Sequence, residues 1–334
     1  MNTPRNDSTL LDVRRLRVHF RRDGKVVRAV DGVDLQVRPG ECVGLVGESG
    51  SGKTVLSRSI ARLMPDAILD EISGEALFEG TDILALSEHE LQRRRRTRFL
   101  SMVFQDPLSY LNPTRRVGQQ VAEALPAGLS RRQRREQVAH FFTRVGLPGD
   151  RATQRRYPHE FSGGMRQRVL IAMALASSPR LLIADEPTTA LDATVQIQVL
   201  NTLEKLHREQ GMALLVITHD LALVAELCDR VYVMYGGQVV ESGDVETVLK
   251  TPNHPYTRGL IASVPGEGAG HRGAGLVGSV PNLAALPTGC RFRPRCPHAS
   301  ERCEEMPPLM SIGSRGSSRC WLSGSEPAED EVSP

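Results

Sequence analysis

The stretch Cys42-Val43-Gly44-Leu45-Val46-Gly47-Glu48-Ser49-Gly50-Ser51-Gly52-Lys53-Thr54 decides the reading of the chain. Its first five residues are almost all apolar, the pattern of a short strand buried on both faces. The next eight match G-x-x-x-x-G-K-[ST]. Lys53–Met64 then reads as a helix that Pro65 ends. Strand, glycine loop and helix together make a phosphate cradle. Glycines let successive backbone N–H groups curl around an anion, and the helix start adds partial positive charge. Lys53 can reach the β- and γ-phosphates, and the Thr54 hydroxyl can ligate Mg²⁺. Gly47, Glu48, Ser49, Gly50, Ser51, Gly52, Lys53 and Thr54 are therefore candidate nucleotide-binding residues. A glycine turn that binds nothing does not explain why strand and helix flank it.

Outward from this loop, two further buried-strand runs appear, Leu181–Ala184 and Ala213–Thr218, separated by a helix-like Val195–Gln210. Strands alternating with helices imply an α/β fold with a parallel sheet covered on both faces. The Leu181 run delivers Asp185 to a strand's carboxyl end, where ligands bind in open α/β sheets. Asp185 there suits Mg²⁺, through water, and Glu186 suits a base for an attacking water. Leu16, Val18 and Phe20 alternate as in a strand, Asp23-Gly24 marks a turn, and Val33–Val37 alternates again. Val231–Tyr235, Gly236-Gly237 and Gln238–Val240 read as a hairpin. Residues from about 106 to 167 are rich in Arg, Gln, Glu and Leu and read as a helical insert.

Composition narrows the function class. Net charge is +3 from 42 basic and 39 acidic residues, too balanced for a nucleic-acid binder, and 4% aromatic residues leave little stacking surface. The longest apolar run, Val169–Ala176, is far below the roughly 20 residues that span a bilayer. No apolar signal segment is expected near the start, which points to the cytoplasm. The basic runs Arg93–Arg96 with Arg98, and Arg131–Arg135 broken by Gln133, read as solvated helix faces.

Several motifs then name a family. Phe161-Ser162-Gly163-Gly164-Met165-Arg166-Gln167-Arg168 resembles the signature of ABC-type ATPases, with Phe161 and Met165 in place of its common Leu and Gln. Val103-Phe104-Gln105-Asp106-Pro107 looks like the Q-loop, Ala190-Leu191-Asp192 like the D-loop, and Thr218-His219-Asp220 like the switch-histidine loop. Leu111-Asn112-Pro113, Tyr157-Pro158-His159-Glu160, His254-Pro255-Tyr256-Thr257 and Gly289-Cys290-Arg291-Phe292 resemble the oligopeptide/dipeptide importer branch, with Tyr110 standing where that branch would have Ser.

The resemblance implies a P-loop ABC-type nucleotide-binding domain: a RecA-like core, an antiparallel β subdomain, a helical subdomain and a small Cys-rich C-terminal segment. It implies a head-to-tail ATPase dimer, with ATP held by one subunit's Gly47–Thr54 loop and the other's signature. Ser162 and the N–H groups of Gly163 and Gly164 would contact the γ-phosphate held by the partner. Phe20 would lie against adenine, His219 on the γ-phosphate and Asp192 at the dimer interface. Gln105 would link Mg²⁺ or water to the membrane partner, and Lys53 with Mg²⁺ would neutralise charge. Implied partners are a second, different ATPase subunit, two transmembrane permeases and an extracytoplasmic solute-binding protein, with no nucleic acid. The site is then the cytoplasmic face of the inner membrane. The cargo is peptide, or else nickel, glutathione or another small solute. Rivals of other classes are a soluble ABC ATPase acting on nucleic acid or ribosomes, and a redox-sensing regulator.

The expected organisation is an ATPase domain over 1–265, a linker over 266–288 carrying six glycines between Pro265 and Pro281, a Cys-rich segment over 289–322 and a disordered tail over 323–334. Cys290, Cys296, Cys303 and Cys320 do not form a paired C-x₂-C zinc pattern. Four thiolates suit zinc or a [4Fe–4S] cluster, and the resemblance favours the cluster over zinc or free thiols. Arg291, Arg293, Arg295 and Arg302 stand among them in sequence and are expected to lower the thiol pKa values. His159 reads as structural, and Cys42 and Cys228 as ordinary buried residues.

Overall fold

Strand β3, Cys42–Val46, lies near the middle of an eight-stranded sheet with every residue buried. A computed structural model describes residues 9–65, 68–95, 99–187, 193–263, 276–313 and 316–323. Asp192 with the rest of the D-loop, residues 266–275 of the expected linker, Arg96, Arg98 and the tail beyond Ser323 lie outside them.

The chain opens with β1 (Leu11–Arg22) and β2 (Lys25–Val37), which pair antiparallel. Asp23 and Gly24, both at positive φ, make the expected turn between them. After β3 and helix α1 (Lys53–Ile60), β4 (Leu69–Phe78) and β5 (Thr81–Asp82) complete a four-stranded sheet ordered β2-β1-β4-β5. Helix α1 stops four residues before the expected Met64. Arg62 takes a left-handed φ of 53°, and the Leu63 N–H bonds the Arg58 carbonyl at 2.8 Å, a glycine-type helix stop made by arginine. Arg62 tolerates it because its guanidinium is tied to the carbonyls of Ile83, Leu84 and Leu86.

Helix α2 (Glu88–Arg95) and strand β6 (Leu100–Val103) lead into the helical insert. It contains α3 (Pro107–Tyr110), α4 (Val117–Glu123), α5 (Arg131–Arg144) and α6 (Arg151–Gln154), and gives way to α7 (Gly163–Ala176). Ser130 and Gln133 close a reciprocal capping box at the start of α5. Then follow β7 (Leu181–Asp185), α8 (Ala193–Gln210), β8 (Ala213–Thr218), α9 (Leu221–Leu227), β9 (Arg230–Tyr235) and β10 (Gln238–Asp244). The run β6-β7-β8-β3-β9 is parallel throughout.

Side-chain alternation splits the core into two layers. On β7, Leu181 and Ile183 join β1, β2 and α1 on one face, while Leu182 and Ala184 join the insert helices and α7 on the other. On β8, Leu215 and Ile217 take the first side, Leu214 and Val216 the second.

The C-terminal segment closes onto this body. Helices α10 (Val245–Lys250) and α11 (Pro255–Ala262) pack with Tyr235, Tyr256 and Phe292 in a third core. Strand β12 (Gly316–Ser318) pairs antiparallel with β10, and β11 (Met310–Ile312) pairs with β12. The Cys-rich segment expected over 289–322 thus extends the central sheet.

Candidate active site

The strand order places four loop exits side by side at the carboxyl ends of β6, β7, β8 and β3. They carry, in that order, Gln105, Asp185-Glu186, His219 and the Gly47–Thr54 loop.

In that loop only glycine fits at two positions. A Cβ on Gly47 (φ 150°) would sit 2.1 Å from the Met234 carbonyl oxygen, and one on Gly52 (φ 104°) 2.0 Å from that of Ala29. Lys53 folds back beneath the loop. Its Nζ donates to the carbonyls of Gly47 at 2.7 Å and Glu48 at 3.0 Å, and its side chain is nearly sealed, with the residue 5% exposed. Burial pulls its pKa down, opposed by Glu186, Asp185 and Glu48.

Beside it the Thr54 hydroxyl donates to Asp185 Oδ1 at 3.2 Å. Asp185 is 1% exposed, and its Oδ2 is buried with no hydrogen-bond partner among the described residues. Burial raises its pKa above the usual carboxylate range, against the pull of Thr54 and Arg58. A buried carboxylate oxygen left unpaired beside a hydroxyl fits Mg²⁺, which takes one or two protein oxygens and completes its shell with phosphate and water.

Glu186 follows at a left-handed φ of 46°, unusual for a residue with a side chain, and its N–H is anchored to the Ile217 carbonyl at 2.9 Å. One carboxylate oxygen, Oε2, accepts from Gln105 Nε2 at 2.8 Å; the other lies 3.9 Å from His219 Nδ1. His219 is 67% exposed, open to a ligand.

The signature residues form a separate group. Ser162 caps α7 and accepts from the Met165 N–H at 3.4 Å. Ser162 and Gly163 are exposed, while a Cβ on Gly164 would lie 2.2 Å from Val195 Cγ1, so α7 and α8 meet there. Phe20 sits on β1 opposite Val27 and Leu69, half-buried against the core. Among the described residues, no hydrogen bond or ion pair joins Ser162, Gly163, Gly164 or Phe20 to the phosphate-loop group.

The C-terminal segment departs from expectation. Cys290, Cys296, Cys303 and Cys320 do line one cavity of about 30 Å³, with His254, Phe292 and Trp321. Yet among the described residues no group of three or more His, Cys, Asp or Glu is placed to hold a metal ion, these thiols included. Arg293 draws the Cys290 thiol down, but burial outweighs it: burial raises the pKa values of Cys290 and Cys320 and pushes that of Cys296 up to about 11. The guanidinium groups are engaged elsewhere: Arg291 with Asp31, Arg293 with Glu304, Arg295 with Glu48, and Arg302 over the Trp321 ring.

Two residues of this region reach the phosphate loop, a link not read for either from sequence. The Tyr256 hydroxyl accepts the Glu48 N–H at 2.8 Å, and Arg295 grips the Glu48 carboxylate. His254-Pro255-Tyr256-Thr257 was the available signal, read only for its family likeness.

Comparison with known proteins places the chain among relatives. Residues 30–189 match the family model described as ABC transporter, and residues 240–303 match that of the oligopeptide/dipeptide transporter C-terminal region. The second match begins ahead of the expected boundary at 265 and stops at Cys303. The oligopeptide transport ATP-binding protein OppD of Escherichia coli is 47% identical over 303 residues, 90% of this chain and 89% of its own. OppD of Salmonella typhimurium is 47% identical over 309 residues, 92% and 91% of the two chains. Among solved structures, the dimeric ATP-binding cassette MJ0796 in a post-hydrolysis state with ADP and Pi is 27% identical, with a TM-score of 0.63 over 70% of this chain and 98% of its own.

Proposed function

The chain belongs to the ATP-binding subunits of ABC transporters, in the oligopeptide/dipeptide importer class, and from that premise we propose how its residues divide the work. It is an ATPase whose hydrolysis is coupled to transport, and it works with membrane permeases. No helix among the described residues is long and apolar enough to cross a membrane, in keeping with peripheral association.

Gly47–Thr54 cradles the triphosphate with backbone N–H groups, and Lys53 leaves its two loop carbonyls to meet the β- and γ-phosphates. Thr54 and Asp185 would hold Mg²⁺, which would supply positive charge against the phosphates. Glu186 orients and deprotonates the attacking water, His219 hydrogen-bonds the γ-phosphate, and Gln105 reports to the permease. Catalysis is mainly positioning and charge stabilisation. Phe20 lies against adenine. Ser162, Gly163 and Gly164, at an exposed helix start, complete the ATP site of a second ATPase subunit, with Asp192 at that interface. The second subunit differs from this one, two permeases and an extracytoplasmic binding protein complete the importer, and the chain sits on the cytoplasmic face of the inner membrane. The observation that carries this reading is the unpartnered Asp185 Oδ2 beside Thr54, with Glu186 one residue on.

The test is ATP hydrolysis by the chain assembled with its permeases. Peptide-loaded binding protein should stimulate it, and Lys53→Ala should abolish it. Hydrolysis indifferent to Lys53 would reject the site.

The cysteine cavity carries a narrower reading. Four thiols line one void, and a [4Fe–4S] cluster held by Cys290, Cys296, Cys303 and Cys320 is the proposal. Anaerobic protein without stoichiometric iron and visible absorbance would reject it.

A further inference from the structure

Glu48 is an odd residue for a loop that binds a polyanion. It belongs to the phosphate loop, where an unpaired negative charge would repel the triphosphate. The structure pins it on every side. Arg295 forks onto the carboxylate, Nη1 to Oε2 at 2.7 Å and Nη2 to Oε1 at 3.1 Å. Two parallel bonds of this kind fix direction as well as charge. Tyr256 takes the Glu48 N–H at 2.8 Å, and Lys53 takes its carbonyl at 3.0 Å.

Arg295 is itself held. Its side chain is only 6% exposed, its Nη1 lies 3.3 Å from the Tyr235 hydroxyl, its Nε donates to the Val277 carbonyl at 2.9 Å, and it lies over the rings of Tyr235 and Phe292. The opposite end of the loop is braced from the same direction. The Gly237 N–H donates to the Ser51 carbonyl at 2.9 Å, and Arg291 bonds the Gly236 carbonyl.

We propose that Arg295 is a positioning residue for nucleotide binding: from the C-terminal segment it neutralises Glu48 and holds that carboxylate aside, so that the loop meets the triphosphate already shaped and without a repelling charge. The inference rests on reading Gly47–Thr54 as the nucleotide site. It assigns the C-terminal segment a part in ATP binding that needs no metal at its cysteines.

The test is MgATP affinity of the full chain by calorimetry, with KM and kcat in the assembled transporter. Arg295→Met should raise Kd and KM roughly tenfold by baring a carboxylate beside a polyanion, while kcat changes less than about twofold. Arg295→Lys, which keeps the charge and loses the fork, should weaken binding only about threefold. In Glu48→Gln/Arg295→Met no unpaired carboxylate remains, and most of the loss should be recovered; a merely structural role predicts no recovery. An Arg295→Met Kd within about twofold of the parent, or a double variant as weak as the single, overturns the proposal. Should Arg295→Met fail to fold, Arg295→Lys decides: a Kd equal to the parent's overturns it. A parent chain that binds no MgATP, or binds it regardless of Lys53→Ala, overturns the nucleotide-site reading instead.

Discussion

Gln105 donates a 2.8 Å hydrogen bond to Glu186, so the exit loop of one strand clasps the acid at the exit of its neighbour. His219, leaving the strand on the other side, lies 3.9 Å from the second carboxylate oxygen. Glu186 is thereby bracketed by the two loops beside it.

Replacing Glu186 by Gln keeps an acceptor for Gln105 and removes the base. Hydrolysis in the assembled transporter should fall roughly 10²-fold or more, since a positioned general base contributes about 10²–10⁴. MgATP binding should persist. Near-normal turnover, after allowing for the second ATP site, would reject the assignment.

Asp185→Asn tests the metal side. The variant keeps the Thr54 hydrogen bond and loses the charge behind the unpartnered oxygen. Apparent Mg²⁺ affinity in the ATPase assay should drop roughly 10- to 100-fold, the usual cost of losing a partner of a bound metal's shell. Excess Mg²⁺ should restore part of the rate, and no response to Mg²⁺ would place the ion elsewhere.

Gly164→Ala drives a Cβ to within 2.2 Å of Val195 Cγ1, on a β-branched side chain with few rotamers to choose from. Overpacking of this kind costs about 1–3 kcal/mol, so the melting temperature should fall. Val195→Ala in the same chain should recover most of the loss, and if it does not, the α7–α8 contact is not the cause.

His254 sets a pH dependence of stability. It is buried, its Nδ1 accepts the Tyr256 N–H at 3.0 Å, and burial pulls its pKa to about 3, against a hydrogen bond to the Arg319 backbone. Between that value and the ordinary 6.5 the unfolded chain binds a proton that the folded chain does not. Stability from this group is full above pH 6.5 and is lost as pH falls toward about 3, at up to about 1.4 kcal/mol per unit. Chemical denaturation of His254→Asn across pH 7 to 4 should show a shallower slope; an equal slope would place the effect in other groups.

What could be read from sequence was local. Cys42–Val46 announces its burial by being apolar throughout, and Asp185 announces its place by ending such a run. Both periodicity and strand ends act over a few residues, and so did the errors. The helix after Lys53 was given to Pro65 to stop, because nothing local shows that Arg62 is anchored by three distant carbonyls. The arginines among the cysteines were expected to act on the thiols beside them, yet neighbours in sequence point to different partners, and burial governs the thiols instead. The grip of Arg295 and Tyr256 on Glu48 spans separations of 247 and 208 residues, which no spacing rule reaches. Phe20, Asp192 and the signature depend on ligand or partner contacts that one chain does not contain.

The distance in sequence between Glu48 and Arg295 also orders events in time. A chain growing from its N-terminus can form β3 and the glycine loop early, but the arginine that grips the loop is made 247 residues later, and β12, which zips onto β10, later still. The phosphate site is among the first parts of the protein to be synthesised and the last to be finished. A nascent chain, or one truncated before residue 295, would carry a complete glycine loop that is not yet set for ATP.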